Sequence, residues 1–380
     1  MLLDNLGAAA WPLTLVSGEG ALLWDDRGRS WWDFYGGHAV TLIGQGHPRW
    51  ADAIARQART LSFVTTVSRV PVRDRAATAL CAFTQMDRAF FVNSGAEANE
   101  AALKLARKAT GRTTVVAMEG GFHGRTAGAM GVTHGYRHQH APAHGDVRFV
   151  PFGDLPALRD ALDDDVAAVI TEPVQGMAGV VEPPEGWLRG VVGAARAVGA
   201  LTIADEVQSG IGRLGAPLAS HLVGAHPDIV TVGKGLGGGF PVAACLMTEA
   251  VAATASPGEH GTTFGGGPLA CAAVEATLQI LQDEGLLAQA TALGEHMAAT
   301  LRTVPGVRAV RGRGAWMGLV LDVPARPVAA DLRDLGFFVG TSADPHVLRL
   351  APPAVMPAYA VHQLAEALQA VLPLVASEAA

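Results

Sequence analysis

The sequence predicts an α/β protein built on a mostly parallel β-sheet with helices on both faces, and three observations predict it. From about residue 88, short apolar runs alternate with helically spaced segments. The runs are apolar and β-branched without polar alternation, which marks strands covered on both faces. Polar residues able to do chemistry stand directly after several of those runs, where open parallel sheets place their ligands.

Taken in chain order, residues 1–50 carry hairpin-like Gly and Pro punctuation. They combine with 285–380 into a smaller α/β domain drawn from both termini, while 51–284 form the large domain. The run 89–93 is a strand ending in Asn93. A helix follows through Gly111: Ser94 and Glu97 have capping-box spacing, Arg107 and Lys108 lie in the last turn, and Gly111 is a stop. Within it Glu100 and Lys104 sit four apart, the spacing of a helix-surface ion pair. Runs 114–118, 166–171, 201–204, 229–232 and 243–247 are further strands. Segments 155–162, 187–198 and 268–282 carry helical spacing between or after them, and the β-α rhythm implies parallel pairing. Asn93, Glu172, Asp205 and Lys234 all fall at strand ends.

Bulk properties narrow the function classes. A chain of 380 residues with 49% hydrophobic and 17% charged residues is globular, apolar and large enough for a substantial core. A net charge of −7 without any Lys/Arg run argues against nucleic acid or an anionic membrane as partner. Cys81, Cys245 and Cys271 are too scattered for a disulfide framework or a cysteine metal site. No apolar stretch reaches membrane-spanning length and the N-terminus lacks a signal-peptide pattern, so the expected location is the cytoplasm.

The lysines are the most telling residues. Only three occur against 25 arginines, and Lys234 follows an apolar run and precedes Gly235 and Gly237–Gly239. Arg cannot lose its proton at usable pH, so chemistry that needs a neutral amine keeps Lys. Lys104 and Lys108 have ordinary helix-surface explanations; Lys234 reads as a Schiff-base nucleophile or as a surface residue that escaped drift. The turn at Ser94-Gly95 offers free N–H groups and a helix dipole to a phosphate, or merely caps its helix. Asp205 and Glu206 follow a buried strand, and a buried carboxylate needs a cationic partner, either a pyridinium nitrogen or an Arg. Together the turn, the Asp and the Lys match the phosphate, ring nitrogen and aldehyde of pyridoxal 5'-phosphate.

With these residues in place the chain resembles the class III pyridoxal-phosphate aminotransferases of the ornithine/acetylornithine type, including enzymes acting on carrier-bound lysine. The likeness runs from about Pro12 to the C-terminus. It is carried by Val92-Asn-Ser-Gly-Ala-Glu-Ala-Asn-Glu100, Gly121-Phe-His-Gly-Arg-Thr126, Thr171-Glu-Pro-Val-Gln-Gly176 and Ile203-Ala-Asp-Glu-Val-Gln208. Val232-Gly-Lys-Gly-Leu-Gly-Gly-Gly239, His260-Gly-Thr-Thr-Phe-Gly-Gly266 and Leu348-Arg-Leu-Ala-Pro-Pro353 complete it in family order.

The resemblance implies a fold type I transferase with a seven-stranded, mostly parallel sheet, and a role for each matching residue. Lys234 would carry the cofactor and shuttle the proton, and Asp205 would pair with the ring nitrogen. Ser94, Gly95 and Ala96 would hold the phosphate, with Thr263 reaching it from the partner of a homodimer that shares its active sites. Phe122 and Val207 would cover the two ring faces, and Gln208 would meet the phenolic oxygen. Arg125 and Arg349 would grip substrate carboxylates, which guanidinium groups bind bidentately. Thr262, His38 and Met177 complete the substrate pocket. Three positions depart from the family pattern. Met177 stands where a Glu usually neutralises the arginine at 349, His38 where Tyr or Ile is usual, and Gly267 replaces an Asn. The expected reaction moves the terminal amino group of N-acetylornithine, or a similar α-blocked ornithine or lysine derivative, to 2-oxoglutarate.

Competing readings are weaker. His134, His138, His140 and His144 crowd one loop, but Gly135, Pro142 and Gly145 argue against the helix that would align them as metal ligands. The glycines after Lys234 match neither a dinucleotide loop nor a P-loop. Ornithine or 4-aminobutyrate transamination, aminomutase and racemase chemistry remain other fates of the same scaffold.

Overall fold

A computed structural model describes residues 13–135 and 146–378. Its centre is a seven-stranded sheet in the order Arg88–Val92, Ala243–Met247, Ile229–Val232, Leu201–Asp205, Val166–Thr171, Thr114–Met118 and Val147–Val150. Every pairing is parallel except those of Ala243–Met247, which runs antiparallel to both neighbours. The uninterrupted apolar runs are buried at every position of Thr114–Met118, Val166–Thr171 and Ile229–Val232. Strand Val147–Val150 was not anticipated from sequence. It lies at the sheet edge, is only partly buried, and interrupts its apolar residues with Arg148.

The helix Gly95–Thr110 begins with the expected capping box: Ser94 accepts from the Glu97 amide, and the Glu97 carboxylate accepts from the amides of Asn93 and Ser94. It ends at Gly111 in the left-handed conformation. Its apolar face lies on the sheet through Ala102, Leu103, Leu105 and Ala106. Full burial of each of the two leucines stabilises the fold by roughly 1.5–3 kcal/mol. The expected Glu100–Lys104 surface pair does not form. Glu100 accepts from the amides of Gly128 and Ala129 at 2.7 and 3.2 Å, orphan donors at the start of a short helix. Lys104 and Lys108 instead reach the backbone carbonyl and the carboxylate of Glu259.

Two four-stranded sheets complete the molecule. One comprises Leu15–Glu19, Leu22–Asp25, Ser30–Asp33 and Phe337–Phe338, so that the two ends of the chain share a sheet. The other comprises Val307–Arg313, Trp316–Leu321, Val347–Leu350 and Gly340–Thr341. Helix Pro268–Asp283 packs against Pro48–Thr60 and Pro71–Thr84 and joins the main hydrophobic core. Among the described residues no helix is long and apolar enough to cross a membrane, and no group of three or more His, Cys, Asp or Glu could hold a metal ion. His134 packs edge-on against Phe149, whereas His138, His140 and His144 lie outside the described residues.

Candidate active site

A cavity of about 290 Å³ opens beyond the carboxyl ends of strands Leu201–Asp205 and Ile229–Val232. Lys234, Asp205, Gly95, Ala96, Phe122, Val207, Gln208 and Arg125 all line it. Eight residues singled out from sequence therefore meet at one place, although they come from four separate segments of the chain.

Lys234 reaches the cavity because the buried strand stops at Val232 and the chain turns sharply into a short 3-10 helix, Lys234–Gly237. Lys234 itself has φ of 43°, a left-handed conformation. Burial lowers its amine pKa from 10.5 to about 8, aided by Arg349 and Arg213 and opposed by Asp205 and Glu172. Among the described residues, six non-glycine residues have positive φ. Gln85 merely ends a helix, whereas Lys234 lines this cavity and the His38 carbonyl accepts from Gln208, which also lines it. Such residues cost on the order of 1–3 kcal/mol each, and persist only where their surroundings over-determine them.

Asp205 is the last residue of its strand and is 5% exposed. One carboxylate oxygen accepts from Asn99 Nδ2 at 2.8 Å and meets His123 Nδ1 at 2.7 Å. The other accepts from the Val207 amide at 3.1 Å. Burial alone would raise its pKa, but His123, Val207 and Asn99 outweigh that and hold the carboxyl below its ordinary value. Burial correspondingly disfavours the imidazolium of His123, yet the hydrogen bond and charge of Asp205 raise its pKa. The neighbouring Glu172 accepts from the Phe122 amide at 3.0 Å, and its pKa is pushed up to about 7, first by burial. Glu206 lies one residue further on and serves structure. Its carboxylate caps the short helix Ala219–Leu222 through the amides of Ala219 and Ser220, and accepts from Ser209.

At the opposite end, Gly95 and Ala96 begin their helix, whose first N–H groups have no intrahelical acceptor. Gly95 has to be glycine: a Cβ there would stand 2.6 Å from Val207 Cγ1. Ser94 is exposed, and its hydroxyl accepts from Glu97 at 3.3 Å. Anion-binding amides, an ionised carboxylate and an amine with lowered pKa thus face one cavity. That donor set fits a cofactor with a phosphate, a protonated ring nitrogen and an aldehyde.

Of the remaining expected positions only Arg125 lines the cavity; His38, Met177, Thr262 and Arg349 stand outside its lining. Arg125 lies 5.5 Å from the Phe122 ring centroid in cation–π contact. Arg349 is 5% exposed; its Nε donates to the Thr341 carbonyl at 2.6 Å, and its Nη1 lies 3.4 Å from Met177 Sδ. His38 meets the Tyr35 hydroxyl at 2.5 Å, and its carbonyl accepts from Gln208 Nε2 at 3.3 Å. Burial, then the charges of Arg349, Lys234 and Arg125, push its pKa down to about 4, leaving a neutral imidazole. Thr262 accepts from Asn93 Nδ2 at 3.4 Å. Thr263 is exposed and does not line the cavity of its own chain.

Sequence reasoning passed over Asn99, His123, Tyr35 and Arg213. Asn99 and His123 did lie inside motifs already singled out, one helical turn past Gly95 and beside Phe122. That proximity was the available signal for them.

A seven-stranded sheet of this order, with a lysine and an acidic residue at adjacent strand ends, fits a pyridoxal-phosphate enzyme of the transferase type. The family model for class III aminotransferases matches residues 6–372, and the chain belongs to that family. It is 43% identical over 351 residues to the acetylornithine aminotransferase of Methanothermobacter thermautotrophicus, covering 91% of this chain and 90% of that protein. Identity is also 43% to the acetylornithine aminotransferase of Mycolicibacterium smegmatis over 385 residues, covering 100% and 97%. Among solved structures, the ornithine aminotransferase of Toxoplasma gondii, described with partial occupancy of the cofactor at its active site, superposes with a TM-score of 0.93. That match has 31% identity and covers 99% of this chain and 93% of the other. The acetylornithine aminotransferase of Elizabethkingia anophelis gives 0.85 at 28% identity over 97% and 96%. The protein is a pyridoxal-phosphate-dependent aminotransferase.

Proposed function

We propose that the enzyme transfers the terminal amino group of N-acetylornithine, or a closely related α-blocked ornithine or lysine derivative, to 2-oxoglutarate, yielding a semialdehyde and glutamate. The supporting observation is Arg125 lining the cavity that holds Lys234 and Asp205, with Arg349 near enough for its charge to lower the Lys234 pKa. The naming of relatives 43% identical over nearly their whole length agrees with it.

In this reading Gly95 and Ala96 hold the phosphate through backbone N–H groups, while Ser94 fixes the turn that presents them. Asp205, kept ionised by His123 and Asn99, holds a proton on the ring nitrogen. Phe122 and Val207 cover the ring faces, and Gln208 meets the phenolic oxygen. When bound, pyridoxal phosphate supplies an electron sink for the substrate carbon that loses its proton. Lys234 moves that proton: with a pKa of about 8 it is neutral often enough near neutral pH to act as nucleophile and base, which no arginine could do. Arg349 takes the α-carboxylate of glutamate or 2-oxoglutarate, and Arg125 the carboxylate of the amino donor. Thr262, His38 and Met177 shape the substrate side.

We further propose a cytoplasmic homodimer in which Thr263 serves the neighbouring site. Phe264, Phe63 and Val67 are 63%, 40% and 89% exposed; Phe264 and Phe63 pack together 5.2 Å apart beside Thr263, an apolar surface suited to a second copy. The segments 1–50, 51–284 and 285–380 are our proposed N-terminal part of the small domain, large domain and C-terminal part of the small domain.

The test is a panel of amino donors with 2-oxoglutarate. N-acetylornithine should be converted with the highest kcat/KM, ahead of ornithine, lysine and 4-aminobutyrate. A preference for free ornithine or 4-aminobutyrate would overturn the substrate reading.

A further inference from the structure

Arg213 is 1% exposed, and its Nε has no acceptor among the described residues. Burying a guanidinium without a carboxylate in contact is costly, so its other contacts must explain its presence. Nη2 donates to the Ala39 carbonyl at 3.0 Å; Nη1 donates to the carbonyls of Ala315 at 3.0 Å and Pro352 at 2.5 Å. The charge of Asp33 supports the cation, although burial still pulls the pKa of Arg213 down to about 9.

Those three carbonyls share a destination. Ala39 ends a turn in which Gly36, Gly37, His38 and Ala39 all have positive φ, between 56° and 71°. Asp33 fixes the start of that turn through the amides of Gly36 at 2.7 Å and Tyr35 at 3.2 Å. Pro352 lies three residues beyond Arg349. Ala315 opens into strand Trp316–Leu321, whose Gly318 pairs with Arg349. The turn is also pressed against the chain after Arg349: a Cβ on Gly36 would stand 2.2 Å from the Ala351 carbonyl oxygen. Arg213 itself stands eight residues after Asp205, on the loop that leaves the cofactor end of the cavity. No hydrogen bond from its guanidinium goes to Asp205, Asn99, His123 or Gly95.

We propose that Arg213 is a positioning residue for substrate recognition: one buried guanidinium holds the His38 turn and the two strands that place Arg349 in a single register relative to the cofactor end. Only arginine suits the task. Its planar fork carries five N–H donors and can serve three separate carbonyls, whereas a lysine ammonium is a compact point donor. The inference rests on the reading of Arg349 and His38 as substrate-facing.

The test uses the holoenzyme with Arg213→Lys, which keeps the charge and loses the fork. Steady-state constants are measured for the amino donor and for 2-oxoglutarate, with cofactor affinity by absorbance titration. Losing a bridging charged hydrogen bond should raise both KM values about tenfold. Cofactor affinity should stay within about twofold and kcat within about threefold, because lysine keeps the charge near Lys234 and, among the described residues, only the 3.3 Å hydrogen bond from Gln208 to the His38 carbonyl links the turn to the cofactor end. A merely structural residue would lower the melting temperature and the active fraction with KM unchanged. Unchanged KM values, or a KM rise matched by an equal loss of cofactor affinity, would overturn the proposal. If Arg213→Lys does not fold, Gly36→Ala decides, since it displaces the same turn with Arg213 intact and should give the same KM-only signature. Unaltered KM values in that variant would equally defeat the idea. A wild-type enzyme that rejects N-acetylornithine but uses another donor sinks the substrate reading alone, because the KM for 2-oxoglutarate still reports on Arg213.

Discussion

Met177→Glu tests how this site accommodates two dissimilar substrates. Sulfur is a weak acceptor, and Met177 Sδ lies 3.4 Å from Arg349 Nη1 on a buried guanidinium. Glutamate has the same reach, so its carboxylate would replace the thioether at that spot. A unit charge at that separation attracts the guanidinium by about 5 kcal/mol at an effective dielectric of about 20. Desolvating the carboxylate takes back several kcal/mol. The remainder is the ~1.5–3 kcal/mol of a charged hydrogen bond, or roughly 10- to 150-fold in affinity. The new carboxylate would compete with the α-carboxylate of 2-oxoglutarate and glutamate for Arg349, so their KM should rise by about that factor. Donors that bring no carboxylate to Arg349, such as a plain diamine, should be spared or improved. Half-reactions with each donor class and with glutamate, followed by cofactor absorbance, separate the two effects. If both half-reactions change by one common factor, Met177 has no part in substrate selection.

Three further outcomes follow from the same geometry. Lys234→Ala should still bind cofactor through its phosphate and ring contacts but lose turnover by several orders of magnitude, since general base catalysis alone supplies about 10²–10⁴; near-wild-type transamination would refute its role. Asp205→Asn keeps the shape but removes the charge, so kcat should fall about 10²–10³ while cofactor affinity falls less; an unchanged kcat would mean Asp205 does not serve the ring nitrogen. In cofactor-free protein, Lys234 should react with an amine acylating reagent along a curve centred near pH 8, read by peptide mass spectrometry. Its folded pKa is depressed below the unfolded value, so burial of the charged form opposes folding at low pH, and its contribution to stability should rise between about pH 8 and 10. A labelling midpoint near 10 would contradict the burial argument.

How much was legible depends on whether a residue's signal is local. Buried parallel strands declare themselves as continuous apolar runs, so 114–118, 166–171, 229–232 and 243–247 match the observed strands end to end. The edge strand Val147–Val150 mixes Arg148 into its run and lacks that signature. Lys234 and Asp205 could be singled out because each directly follows or ends such a run. Asn99 and His123 hold Asp205 across 106 and 82 residues, and no spacing in the sequence encodes a contact of that range. Arg213 stands among loop glycines and looks like any solvated arginine, although it is among the most deeply buried side chains. The left-handed conformations of His38, Val180 and Ile211 were invisible as well, because glycine is the only residue whose presence commonly advertises positive φ.

The geometry of Arg213 also separates what this scaffold must keep from what it can trade. Gly95, Ala96, Asp205 and Lys234 stand at the ends of strands of the seven-stranded sheet, whereas Arg349 belongs to a four-stranded sheet and His38 to a turn clamped onto it. Changes at positions 36–39, 177 and 349 therefore fall on parts of the chain that do not hold Asp205 or its partners. On the proposed reading, lineages or laboratory libraries explore new amino donors at 38, 177 and 349 without touching the hydrogen bonds that hold Asp205.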